Sequence, residues 1–173
     1  MVLGMSLSTF TLLHVIISLA GIGSGFIVMY GLLNSKRFDG WTAIFLTTTV
    51  LTSLTGFLFP FEGLKPAYIV GGISLVVLAI AIWARYGRSL EGAARGTYIV
   101  TAAVALYLNC FVAVVQAFMK VPALHALAPA GKEPPFMVAQ LVLLALFVWL
   151  TILAAKRFRV GSTLLRSAAD AGR

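Results

Sequence analysis

The sequence predicts an all-α, polytopic membrane helical bundle of five transmembrane helices, amino terminus out and carboxy terminus in. Three observations carry that expectation. Apolar runs recur at about 9–33, 41–60, 67–86, 97–119 and 136–155, each near the roughly 20 residues a helix needs to cross hydrocarbon. Only 10% of the 173 residues are charged and 61% are hydrophobic, with a mean hydropathy of +1.02. A soluble domain carries about a quarter charged residues, so this chain could not coat a water-exposed globule. The third observation is the placing of the basic side chains. Lys36, Arg37, Arg85, Arg88, Arg95, Lys156, Arg157, Arg159, Arg166 and Arg173 belong to one side of a five-span chain, Lys65, Lys120 and Lys132 to the other. Ten of 13 on one side puts that side in the cytoplasm by the positive-inside rule. The same bias accounts for the formal net charge of +8, and no aromatic and basic interleaving accompanies it, so nucleic acid is not expected as a partner.

Residues 1–158 then form a single five-helix transmembrane domain, and 159–173 a basic cytoplasmic tail, lying at the anionic inner leaflet or disordered. No charge precedes the first apolar run, as a signal peptide would require, so that run is expected to remain in the mature protein.

In the first span His14, Ser18, Gly21 and Gly25 share a face, and Gly21 with Gly25 makes a small-xxx-small pair that lets two helices approach closely. The second span carries Thr48, Thr52 and Thr55 among other hydroxyls. Such side chains bond the preceding turn of their own helix, so this face reads as a packing surface or the lining of a wet path. A short outer turn after Pro60 holds Glu62, either solvated or folded inward toward His14. The third span ends in Trp83, Arg85 and Tyr86, an interfacial belt with a snorkelling arginine.

The fourth span is the one around which the others are expected to pack. At 100° per residue Ala102, Ala105, Asn109, Ala113, Gln116 and Lys120 fall on one face, a small and polar stripe that should meet protein. Asn109 would lie about 16 Å below Lys120 at 1.5 Å per residue. Cys110 is alone in the chain and reads as a small core residue. The loop from Lys120 to Pro135 contains Pro122, Pro129, Pro134 and Pro135, which points to an ordered outer cap with a short helix around His125. The fifth span starts at Phe136, with Gln140 one turn inside.

The polar residues therefore gather in the outer third, with no comparable cluster toward the inner face. His14, Asn109, Gln116, Lys120 and Gln140 are the candidate ligand-binding residues of a pocket near the periplasmic face. Glu62, His125 and Glu133 are its candidate cap or gate, and Gly21, Gly25, Thr48, Thr52 and Thr55 its packing residues. The pattern supports a protein that binds, or helps transport, a small molecule or ion. Five spans do not divide into two equal halves, which disfavours a monomeric inverted-repeat carrier. The alternatives are a quinone- or haem-associated redox subunit and a non-catalytic accessory subunit of a larger membrane complex, or a homo-oligomer joined through the glycine face. Quinone or a lipid headgroup needs only apolar walls and a few polar groups. Haem would need two imidazoles from His14 and His125, and zinc would need those histidines with Glu62 and Glu133. No cofactor or metal is fixed by the spacing. No serine or cysteine is set beside a histidine and no paired-aspartate or HExxH pattern occurs, so no catalytic residue is assigned and an enzyme is not the favoured reading.

The segments GWTAIFLTTTVLTSLTGFLFPFEG and YLNCFVAVVQAFMKVPALHALAP, with EPPF after them, resemble those of a group of small uncharacterised bacterial inner-membrane proteins. The resemblance covers about residues 11–158. It implies a multi-pass protein of the bacterial inner (plasma) membrane and supplies no activity.

Overall fold

The structure, a computed structural model, describes residues 2, 4–59 and 66–159. Glu62, with the outer turn to which it belongs, and the tail after Arg159 lie outside the described residues. Six α-helices follow in order: α1 Leu7–Leu33, α2 Asp39–Gly56, α3 Pro66–Ile82, α4 Ala93–Lys120, α5 Pro122–Leu127 and α6 Pro134–Arg157. A π-helical turn, Trp83–Gly87, prolongs α3. Four helical segments, Leu7–Leu33, Tyr68–Gly87, Ala93–Lys120 and Pro134–Arg157, are long and apolar enough to cross a membrane. Their outer faces carry Leu12, Ile16, Val76, Leu141, Val142 and Trp149, all more than 55% exposed. A continuous apolar surface of that kind is a liability in water and the expected face toward hydrocarbon.

Local chemistry sets the ends of these helices. The Ser6 hydroxyl caps α1 by accepting the Thr9 amide at 3.2 Å, and α5 opens with Pro122, whose missing N–H costs nothing in a first turn. Ser35 and Gly131 turn the chain in the left-handed region, at φ 53° and 66°.

Helices α1 and α2 form an antiparallel hairpin held by glycines. A Cβ on Gly31 would stand 2.9 Å from the Lys36 carbonyl oxygen, one on Gly25 2.9 Å from the Phe45 ring and 2.5 Å from Leu106, and one on Gly21 3.2 Å from the Thr48 hydroxyl. Farther on, His14 meets Thr55 and the Phe10 ring meets Phe59 edge-on at 5.0 Å. Partners rise in number on one helix as they fall on the other. Thus the segment from Phe38 to Phe59, with α2 at its centre, lies along α1 from Gly31 to Phe10, roughly 31 Å of α1 at 1.5 Å per residue. Gly21 and Gly25 are met from within the chain, by α2 and α4.

Helix α4 is central, packing on α1, α2, α3, α5 and α6. Its first two-thirds bury Tyr98, Ile99, Ala102, Ala103, Ala105, Leu106 and Cys110, where small alanines let neighbours close in on several sides. Helix α6 packs more loosely, with only Phe147 and Ala154 buried. It runs antiparallel to α4: Phe147 lies against Tyr107, Phe136 against Phe118, and the Phe158 carbonyl accepts from Arg95.

Gly25→Val and Gly31→Val are each expected to cost about 1–3 kcal/mol, because the added methyls enter filled space. Gly23→Val, at a position with nothing within 4 Å, should be near neutral. Thermal unfolding of the three variants in one detergent checks this, and equal midpoints would contradict the hairpin packing.

Candidate functional sites: an interhelical polar seam, a capped pocket and a buried ion pair

Helical periodicity places the polar residues on faces, and the hairpin decides what those faces meet. His14 Nδ1 lies 2.7 Å from Thr55 Oγ1. The Thr55 hydroxyl also donates to the Leu51 carbonyl at 2.7 Å, which leaves its oxygen as the acceptor for a proton on Nδ1. The Phe59 ring stands edge-on to the imidazole at 5.2 Å. Deeper in, the Asn109 amide donates to Thr49 Oγ1 at 3.3 Å, and the same amide nitrogen lies 3.3 Å from where a Gly21 Cβ would be. Thr48 turns back to the Ile44 carbonyl, while the Ser53 and Ser74 hydroxyls meet at 3.1 Å and tie α2 to α3. Thr52 Oγ1 is buried between these pairs without a hydrogen-bond partner among the described residues. The result is a polar seam between α1, α2, α3 and α4, with each pair worth on the order of 0.6 kcal/mol.

None of the expected binding residues His14, Asn109, Gln116, Lys120 and Gln140 lines either of the two cavities described below. Gln116 and Lys120 are exposed on α4, although Gln116 shares a helical face with Asn109. Beyond Cys110, Phe118 is the one residue of α4 that is buried, so this end of the helix is less enclosed than the stretch before it. Gln140 donates to the Phe111 carbonyl at 3.3 Å, which binds α6 to α4, and its Oε1 is buried without a partner. Among the described residues no three histidine, cysteine, aspartate or glutamate side chains converge on a metal-sized site.

A pocket does exist beneath the proline cap, with different walls. It has a volume of 280 Å³ between the end of α4, α5 and the start of α6, lined chiefly by Val115, Phe118, Met119, His125, Ala128 and Phe136. Phe118 and Phe136 meet edge to face at 5.4 Å, and His125 is the only ionisable side chain in the lining. The turn that closes the pocket is knitted by Glu133, whose carboxylate accepts the amides of Ala130 and Lys132 at 2.9 Å each. Those two donors hold its carboxyl below the ordinary glutamate range. Glu133, expected in the cap or gate, thus fastens the cap loop.

At the opposite end the expectation of a snorkelling Arg85 is overturned. Arg85 is 4% exposed; the π-helical turn aims its guanidinium inward, where it pairs with the Asp39 carboxylate. The guanidinium lies over the Tyr98 ring at 5.2 Å and the Tyr86 ring at 5.8 Å. Arg37 approaches the same carboxylate at 3.7 Å. This end therefore holds a polar cluster that the sequence reading denied. Its signal was Asp39, an acid next to an apolar run, whose partner lies 46 residues away.

Asp39→Ala strands a buried guanidinium and is expected to cost about 1–3 kcal/mol, whereas Asp39→Asn, which keeps an acceptor, should cost less. Unfolding midpoints of both variants test this; parity with the unaltered protein would show that Arg85 finds its partner elsewhere.

Comparison of the chain with protein-family models, curated proteins and solved structures found no match, so its functional reading rests on these residues alone.

Proposed function

We propose that this is a five-span protein of a bacterial inner membrane, amino terminus outside and carboxy terminus inside, that binds a small amphipathic molecule under its periplasmic cap. The fifth crossing is α2. It runs antiparallel along an apolar α1, and three of its hydroxyls discharge their donors on its own turns, Thr48 on Ile44, Ser53 on Thr49 and Thr55 on Leu51. A threonine-rich helix so satisfied can cross hydrocarbon despite its modest hydropathy. Orientation follows from charge: Arg85 pairs with Asp39, Arg95 with the Phe158 carbonyl and Ser35 with the Arg157 carbonyl, which draws the basic loops to one end. That end is the cytoplasmic one by the positive-inside rule.

The observation that carries the binding proposal is the capped 280 Å³ pocket, with aromatic and thioether walls and one imidazole. Its size falls just under the range of about 300–1,000 Å³ typical of drug-sized ligands. It suits a single ring or small headgroup with a hydrogen-bond acceptor for His125, a tail remaining among the acyl chains. A quinone or a lipid headgroup has that chemistry. Exposed Gln116 and Lys120 stand on the same outer third of α4 and offer polar contacts along the approach.

Two experiments test the proposal. Lys36→Cys, Glu62→Cys and Lys132→Cys, made singly, are labelled in whole cells with a membrane-impermeant maleimide, Cys110 being buried. Labelling is expected at 62 and 132 and not at 36; equal labelling at 36 and 62 would mean that α2 does not cross. For the ligand, Ala128→Trp fills the pocket from a position only 2% exposed. Mass spectrometry of organic extracts should find a small molecule retained by the unaltered protein and depleted in Ala128→Trp. Retention at the same ratio in both would remove the pocket as the binding site.

A further inference from the structure

A second and larger cavity lies at the basic end, where α4 begins and α6 ends. Its volume is 660 Å³, and its wall includes Leu90, Glu91, Gly92, Arg95, Lys156 and Arg159. Three cations thus face one carboxylate. Gly92, at φ 53°, is the N-cap of the 28-residue α4, and no side chain caps that end, so the positive end of the helix dipole opens on the same space. The position of the basic groups is built rather than incidental. Arg95 is held by the Phe158 carbonyl, Arg159 by the bond from its amide to Ser35 Oγ at 3.3 Å, and the Ser35 hydroxyl in turn donates to the Arg157 carbonyl at 2.5 Å. Lys36 and Arg88, also basic and at this end, are not part of the wall.

We infer that this cavity is a binding site for a phosphate-bearing anion, presented by the headgroup of an acidic phospholipid. A phosphodiester carries one negative charge and two free oxygens, which match a fixed guanidinium, two further cations and a helix N-terminus without a side-chain cap better than any neutral headgroup would. The cavity opens at the level where α4 starts and α6 stops, which is where lipid phosphates lie if those helices cross the bilayer. This site is separate from the capped pocket at the other end and stands or falls independently of it.

The test is the rise in thermal unfolding midpoint of the full chain in a non-ionic detergent. Phosphatidylglycerol, phosphatidylcholine and inorganic phosphate are each added to the unaltered protein, to K156Q/R159Q and to K36Q/R88Q. Binding to the folded state raises the midpoint with ligand concentration, so each response is read against the same variant without ligand, which removes any change in basal stability. Phosphatidylglycerol is expected to raise the midpoint of the unaltered protein and of K36Q/R88Q, with most of the rise lost in K156Q/R159Q, and phosphatidylcholine to have no effect. Glu91→Gln should enlarge the response. A response to inorganic phosphate equal to that of the lipid would keep the site and make its natural ligand a soluble phosphate. Equal loss in the two double variants would show a diffuse surface field, and no loss in K156Q/R159Q would show that the cavity does not bind; either result overturns the inference.

Discussion

Hydrocarbon offers no partner to an amide, a hydroxyl or an imidazole, and the placing of Asn109 against Thr49 is this bundle's answer to that constraint. For the amide to reach α2, α4 must come close to the α1–α2 hairpin at Gly21, where no side chain stands between them. The close approach at Gly21 sets the distance at Gly25, and that in turn lets Phe45 and Leu106 fill the space a larger residue would occupy. Central packing of α4 follows, since a helix tied to α1 and α2 on one face has its remaining sides free for α3 and α6. One polar contact and two glycines thus select the arrangement, although the apolar contacts around them contribute most of the buried area.

The two ends of the bundle solve different problems. At the cap end, prolines and the Glu133 carboxylate shape the chain without a buried charge, leaving an apolar pocket with one imidazole. At the basic end charge is taken into the protein. The guanidinium of Arg85 is enclosed, and a carboxylate 70% exposed at its own side chain supplies the compensation. A half-wet pair loses less solvation than a fully buried one, which makes the arrangement tolerable near an interface where it would be costly at mid-span. The π-helical turn is the local device: one added residue per turn rotates Arg85 inward from the apolar outer face on which Trp83 remains.

Much of the all-helical architecture was legible in the residues, because apolar runs and 3.6-residue periodicity report on each helix separately. Gly21, Gly25, Thr48, Thr55, His14 and Asn109 were placed on buried faces by that arithmetic. What periodicity does not contain is partnership. Periodicity groups His14 with Gln116 in one outer pocket, whereas antiparallel register along the hairpin delivers it to Thr55. It likewise treats a helix as equally covered along its length, so Gln116 inherited the environment of Asn109. Arg85 was misread for a related reason: a charge at the end of an apolar run suits an interface by default, and only a distant acid, invisible to any local window, reverses the balance.

Helix α2 shows why hydropathy alone understates a crossing segment. Its hydroxyls lower the mean, yet Thr48, Ser53 and Thr55 each bond a carbonyl one turn back. A donor already spent on its own helix carries a much smaller transfer cost than the free hydroxyl a hydropathy scale assumes. The oxygen lone pairs remain, and that of Thr55 lies 2.7 Å from His14 Nδ1, while Thr49 of the same helix accepts from Asn109. Thr55 is thus closed to lipid as a donor and open to its neighbour as an acceptor. A valine at 49 or 55 would raise the hydropathy and leave the amide or the imidazole without an acceptor, so the helix that looks least suited to hydrocarbon is the one that lets α1 and α4 carry polar groups into it.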